Sequence, residues 1–287
     1  SSDLVDASED GDSLQVKEGT YKLLAQVAIT NGLTLRIAGG YTGNGDERGE
    51  GYSVLARDSS VTSMRIVYIK DSNVIMDGLV VSNGLLCGAS KSSHYGLGVN
   101  AVNSTLMITN CIVTKNSDNR YNHNYYGGGL RQSGGTLTIV DSIFSNNVLA
   151  SPTDHSTAYG GAIYAENVQS DIRNSKFINN QVAVAYIACQ GGALWFSGGS
   201  STIRNCVFDK NSVKKSENYS GRDNGFGGCI YANGLSTFVV EDCIFTGNFN
   251  NSRISSGYTY GARGGTFYLE GSSMKTAINR CAFYGNG

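Results

Sequence analysis

Gly160-Gly161-Ala162-Ile163-Tyr164, followed by Ile172-Arg173-Asn174-Ser175-Lys176-Phe177-Ile178-Asn179-Asn180, makes up one copy of a unit that recurs along the chain. A large apolar residue with asparagine three positions later stands at Val80/Asn83, Val113/Asn116, Phe144/Asn147, Phe177/Asn180, Phe208/Asn211, Phe245/Asn248 and Phe283/Asn286, at intervals of 31 to 38 residues. A glycine signature accompanies it at Gly127-Gly128-Gly129-Leu130, Gly160-Gly161-Ala162-Ile163, Gly191-Gly192-Ala193-Leu194, Gly227-Gly228-Cys229-Ile230 and Gly264-Gly265-Thr266-Phe267. A fixed period of this length marks stacked repeats.

Aligned on the Phe/Val position, the repeats fall into columns. Five residues upstream stand Ile75, Ile108, Ile139, Ile172, Ile203, Val240 and Ile278; three upstream stand Asp77, Asn110, Asp141, Asn174, Asn205, Asp242 and Arg280. Two upstream only small residues occur, at Gly78, Cys111, Ser142, Ser175, Cys206, Cys243 and Cys281. The aliphatic and Phe columns are an odd number of residues apart, so a straight strand would set them on opposite faces and a bend must separate them. Asn and Asp fall at that bend, where local hydrogen bonds and left-handed backbone suit them; the asparagine after each Phe marks a second bend. Stacking like on like, about 4.8 Å apart, gives an all-β parallel β-helix with short strands and an asparagine turn ladder of Asn83, Asn116, Asn147, Asn180, Asn211, Asn248 and Asn286. Helical repeats of similar length are disfavoured by the β-branched and aromatic bias, the Gly-Gly pairs and the single proline, Pro152.

Residues 1–287 read as one domain, with irregular N-terminal coils over 1–74 and seven matched repeats over 75–287. The N-terminal part is strand-rich, as in Leu14-Gln15-Val16-Lys17 and Leu33-Thr34-Leu35-Arg36-Ile37. Lys and Arg number 22 against 23 Asp and Glu, a net charge of −1 that gives no electrostatic reason to expect nucleic acid. The chain contains no run of apolar residues long enough to span a bilayer. The repeat that ends at Phe283, Asn286 and Gly287 carries no capping segment, so the expectation is a piece of a longer protein, or a unit that stacks end to end at its C-terminal face.

The segments between each asparagine and the next Gly-Gly pair (84–95, 117–126, 148–159, 181–190, 212–226 and 249–263) vary in length and content. Read as loops leaving one corner, they form a contiguous face rich in Tyr, Asn, Ser and Gly, the mixture that binding loops favour. Tyr95, Tyr121, Tyr125, Tyr126, Tyr159, Tyr186, Tyr219, Tyr258 and Tyr260 are the candidate contact residues, with the alternative that the aromatics pin passive loops to the scaffold. After the glycine quartets come Arg131, Tyr164, Trp195, Tyr231 and Tyr268, a column that stacks on sugars if it faces outward but is better read as core or loop-covered packing.

Other chemistry is sparse. His94, His123 and His155 lie in three consecutive loops, with Asp118 and Asp154 near in sequence, but loops of unequal length need not superpose, and no metal or other cofactor is expected. Four of the seven cysteines occupy the small-residue column and none forms a zinc-type spacing, so mostly buried free thiols are expected; Cys206/Cys243 and Cys243/Cys281 come close enough for disulfides only at the expense of strain.

The pairing of Gly-Gly-Ala-Ile/Leu with Phe-x-x-Asn resembles the polymorphic membrane protein repeats of chlamydial surface autotransporters and similar repeats in secreted bacterial β-helix proteins, over roughly 75–286. The resemblance implies a right-handed parallel β-helix of the pectin-lyase-like kind, an extracellular or cell-surface location, and adhesion or surface-structural roles. Its partner would be a host or neighbouring-cell surface protein or glycan. Gly129, Cys229 and Thr266 depart from the alanine of the quartet, and no outer-membrane barrel is present in this sequence. The rival class is a secreted polysaccharide lyase or glycoside hydrolase, which needs clustered carboxylates with an Arg or Lys. Asp141 and Asp242 are explained by turn chemistry, and Arg173 and Arg204 stack as a pair beside them, so no catalytic residue is assigned.

Overall fold

The computed structural model describes residues 7–43, 47–86, 93–118, 124–215, 225–251 and 262–287, with backbone alone at 152–155, 184–187 and 215. The chain is a parallel β-helix built from three sheets that run along its length. The first sheet holds the long strands Val99–Thr109, Leu130–Val140, Ile163–Arg173 and Leu194–Arg204; the second holds short ones such as Ile112–Thr114, Ile143–Ser145, Lys176–Ile178 and Val207–Asp209. Pairing is parallel and in register, Ile139 against Ile172 and Phe144 against Phe177. Among the described residues no helix is long and apolar enough to cross a membrane.

Each corner has its own chemistry. Between the first and second sheets Asn110, Asp141, Asn174, Asn205, Asp242 and Arg280 all adopt left-handed backbone, φ 49 to 55°. Arg280, the odd residue in that column, bonds back to Asp242 through two contacts of 2.6 and 2.8 Å. At the second corner the left-handed residue is the one before the ladder asparagine (Lys115, Asn146, Asn179, Lys210, Gly247 and Gly285), while the ladder asparagine itself turns inward. Asn116, Asn147, Asn180, Asn211 and Asn248 are 0% exposed. Asn180 shows the pattern. Its Nδ2 donates to Phe144 O and to Asn211 Oδ1, both at 2.9 Å, while its Oδ1 accepts from Asn147 N and Asn147 Nδ2 at 3.2 and 2.9 Å. Every amide position is used, which is why asparagine can be fully buried here. Beside the ladder the Phe rings stack at 4.7 to 5.5 Å from Phe144 to Phe283.

The first anchor is corrected by one residue. Val113 pairs with Val81, not Val80, and Gly84 N, not Asn83, meets the ladder by donating to Asn116 Oδ1 at 2.9 Å. Asn83 is exposed at φ 62°, in the left-handed position, so the ladder begins at Asn116. The shift carries through the repeat: Met76 takes the core place expected for Ile75, Gly78 the left-handed turn expected for Asp77, and Leu79 the place of the small column. Asp77, itself buried, instead accepts from Arg36, Arg48 and Asn110, the two arginines remaining partly exposed. The expected coils of the N-terminal part join the same sheets, Gly19–Leu23 pairing with Ser53–Arg57 and that strand with Leu79–Ser82.

Much of the segments expected as loops forms the third sheet, with Ser93–Tyr95, Asn124–Tyr126, Val148–Tyr159, Gln181–Gln190, Ser212–Lys215 and Phe249–Asn251 stacked in sequence, while Leu85 bridges Met64 instead. Backbone N–H and C=O groups held at the coil spacing satisfy one another whatever the side chains are, so a third ladder forms without a repeated motif. Beneath it lies a second small core of Leu97, Tyr125, Leu149, Ala158, Val182, Cys189 and Val213, separate from the main core of Leu, Ile, Val and Phe columns.

Candidate functional site

The third sheet returns to the first through the Gly-Gly corner. Gly160 has φ 65°, and a Cβ there would lie 2.0 Å from Ile163 O; at Gly161 a Cβ would lie 2.2 Å from Gly192 O of the next coil. The first glycine is required by backbone conformation and the second by the carbonyl stacked against it. This sharp turn brings the outer faces of two strand ends together. One column, from the third sheet, is Tyr95, Tyr126, Tyr159, Gln190, Phe226 and Arg263. The facing column, from the first sheet, is Tyr68, Asn100, Arg131, Tyr164, Trp195, Tyr231 and Tyr268.

The two columns interleave into an aromatic seam along the solenoid. Tyr164 stacks on Trp195 with centroids 4.3 Å apart and planes within 4°, and Tyr159 covers Trp195 at 5.5 Å. Tyr231 continues the stack from Trp195 to Tyr268 at 5.8 and 5.6 Å, with Phe226 against Tyr268 at 4.8 Å. Trp195 Nε1 donates to Gln190 Oε1 at 2.8 Å, and Tyr231 Oη to Glu270 at 3.0 Å. Trp195 is 9% exposed, Tyr164 and Tyr231 each 5%. The column after the glycine quartets is thus covered by the third sheet's aromatics and lies outside the main core. Burial raises the pKa of Tyr126, Tyr164 and Tyr231 and, with the neighbouring Tyr126, pushes that of Tyr159 up to about 12.

The candidate tyrosines separate into three groups. Tyr95, Tyr126 and Tyr159 belong to the seam, Tyr95 stacking on Tyr126 at 5.1 Å. Tyr125 is corrected: it is 0% exposed and fills the second core, because alternation along Asn124–Tyr126 turns it inward when its neighbours face out. Tyr121, Tyr219, Tyr258 and Tyr260 lie outside the described residues, as does the side chain of Tyr186. Of the histidines, His94 is buried with Nδ1 3.0 Å from Asp118 Oδ2 and its ring edge-on to Tyr125. His123 lies outside the described residues, as do the side chains of His155 and Asp154. No cluster of three His, Cys, Asp or Glu side chains suited to a metal occurs among the described residues. The small-column thiols Cys111, Cys206 and Cys243 are buried and unbridged; Cys87 lies outside the described residues.

Two arginines at the N-terminal end of the seam come together only in the fold. Arg131 lies over the Tyr95 ring at 4.5 Å and donates to Asn100 Oδ1 at 3.2 Å. Arg65, beside Tyr68 two coils before Arg131, donates to Tyr95 O at 3.0 Å and lies 5.5 Å over the Tyr68 ring. Nothing in the sequence selects Arg65, which precedes the periodic part. Elsewhere, two shallow depressions of about 580 and 470 Å³ lie on the outer face of the first sheet, lined by residues such as Asn167, Gln169 and Ser200, and Thr34, Asn73 and Thr105. Asp141 and Asp242 sit at turn positions, and Arg204 is held 2.9 Å from Glu241.

The fold and the seam define a parallel β-helix repeat protein. No protein-family model, no curated protein and no solved structure matches the chain.

Proposed function

We propose that this is a noncatalytic binding or stalk protein, an adhesin-like β-helix acting outside the cell or at its surface. Its third-sheet face would contact a protein or glycan of a host or neighbouring cell. The observation that supports this reading is the seam: aromatic residues of successive coils clamp the ends of the third-sheet segments at fixed spacing. Repeated residues are consumed by core and corner packing, and the described parts of the unrepeated segments pair side by side in the third sheet, where they can act together. The likeness of the paired motif to polymorphic membrane protein repeats leads to the same proposal.

Glycan-array and cell-binding assays test the proposal with the intact chain and with variants shortened within 212–226 and 249–263. Binding lost on shortening, with thermal stability kept, supports it; binding unchanged in every shortened variant rejects the third-sheet face. Depolymerisation of an acidic glycan, abolished by substituting an Asp or Arg, would put an enzyme in its place.

A further inference from the structure

Arg65 and Arg131 form a like-charged pair for which no counter-ion stands among the described residues. Among the described residues neither makes an ion pair with a carboxylate, and the Nε atoms of both are enclosed without a hydrogen-bond partner there. A guanidinium carries five N–H donors; Tyr95 O takes one from Arg65 and Asn100 Oδ1 one from Arg131. Glu166, the acidic residue on the adjoining outward column, accepts instead from Ser133 Oγ at 3.5 Å. Burial and the charge of Arg131 both lower the pKa of Arg65. Ring faces of Tyr68 and Tyr95 offset part of that cost, since an aromatic face attracts a guanidinium electrostatically.

We propose that Arg65 and Arg131, converging on Tyr95, bind the oxyanion of an anionic sugar, a sulfate ester or a carboxylate. Paired planar forks match an oxyanion in shape and supply the missing countercharge. The site opens beside Tyr95, which is 36% exposed, and continues into the phenol rings of Tyr126 and Tyr159. Those rings favour a sugar, whose C–H faces pack on aromatics, over an acidic peptide. The inference shares the glycan ligand class of the reading above but uses only Arg65, Arg131 and the Tyr95 end of the seam, whereas that reading is tested by shortening 212–226 and 249–263. Either idea can fail without the other.

Calorimetric titration of the intact chain tests it with a sulfated disaccharide, an unsulfated uronate disaccharide, a neutral disaccharide, inorganic sulfate and a hexaglutamate peptide. The expected result is binding of one or both charged sugars, weakened by salt, with the neutral sugar at least about tenfold weaker. The two charged sugars distinguish sulfate from carboxylate. Arg65→Gln and Arg131→Gln should each weaken that binding about tenfold or more. Because each removes one of two like charges, the unliganded variants should melt no lower than the parent. Arg131→Lys keeps the charge but loses the fork; it should also bind more weakly, and it serves if a Gln variant fails to fold. No binding of either charged sugar at about 10 mM overturns the proposal. So does unchanged affinity in folded variants, or tighter binding of hexaglutamate or bare sulfate than of the sugars.

Discussion

Asn180 Nδ2 donates to Asn211 Oδ1 at 2.9 Å, and the same relationship, at 2.9 to 3.0 Å, joins every successive pair from Asn116 to Asn286. Asn180→Ala would leave Phe144 O, Asn147 N and Asn147 Nδ2 buried without their partner. At about 1–3 kcal/mol for each orphaned group, a loss of at least about 3 kcal/mol is expected in equilibrium denaturation. Asn83→Ala, at the exposed left-handed position outside the ladder, should lose only about 1–2 kcal/mol. Equal losses would contradict the corrected register.

Glycine is required at Gly161 by a stacked carbonyl, whereas Gly247 serves only a left-handed backbone that asparagine can also adopt. Gly161→Ala drives a Cβ to 2.2 Å from Gly192 O and should sharply lower the melting temperature. At Gly247, φ is 59° and the nearest atom to a new Cβ is Lys210 Cγ at 3.5 Å, so Gly247→Asn should fold normally. Circular dichroism melts of the two variants make the comparison.

The seam tyrosines should resist ionisation. Tyr159 has its pKa raised to about 12 from an ordinary value of 10.0 by burial and by Tyr126. The folded chain therefore keeps a proton that the unfolded chain releases. Stability from this group is present below pH 10.0 and is lost as pH rises from there toward about 12. Absorbance near 295 nm should show a tyrosine fraction ionising only with unfolding. The sole tryptophan, Trp195, should report that event by a red shift of its emission.

Asp77 should make the N-terminal coils acid-sensitive. Burial alone would raise its pKa, but hydrogen bonds from Arg48 and Asn110 with the charges of Arg48 and Arg36 outweigh it and hold the pKa below 3.8. Its contribution is present above that value and lost as pH falls through the lowered folded pKa. Asp77→Asn should destabilise the protein at pH 7 and flatten its stability profile below pH 4, as read by urea midpoints across about pH 2–7.

Thiol reactivity should follow position along the cysteine column. Burial raises Cys111 to about 12 and Cys229 well above its ordinary value, whereas Cys281 is only partly buried. Alkylation near pH 8 with peptide mapping should label Cys281 before Cys111, Cys206, Cys229 and Cys243, and all of them once denaturant is added. Early labelling of Cys111 would count against its packing.

The period was legible because the chemistry of each column is dictated locally. The core needs Phe or Ile, the left-handed corner favours Asn, Asp or Gly, and the Gly-Gly turn admits no Cβ. The first repeat was misread because Val80-Val81 and Asn83-Gly84 offer two phases one residue apart, which only pairing with Val113 and Asn116 resolves. Tyr125 was misassigned for the same reason: parity along a strand is invisible when adjacent residues are both tyrosine. The third sheet left no periodic signal, since backbone pairing holds it whatever side chains it carries.

By itself the sequence determined the stacked β architecture, the asparagine ladder from Asn116 onward and the pairing of the glycine and Phe-x-x-Asn signatures, because each coil repeats one set of local conformational demands. Tertiary structure alone decided the register of the first coil, which tyrosines face out, and the meeting of Arg65 with Arg131 on Tyr95. Those outcomes depend on which residues of different coils come to lie one above another, and that follows from the length of each excursion as well as from the residues within it.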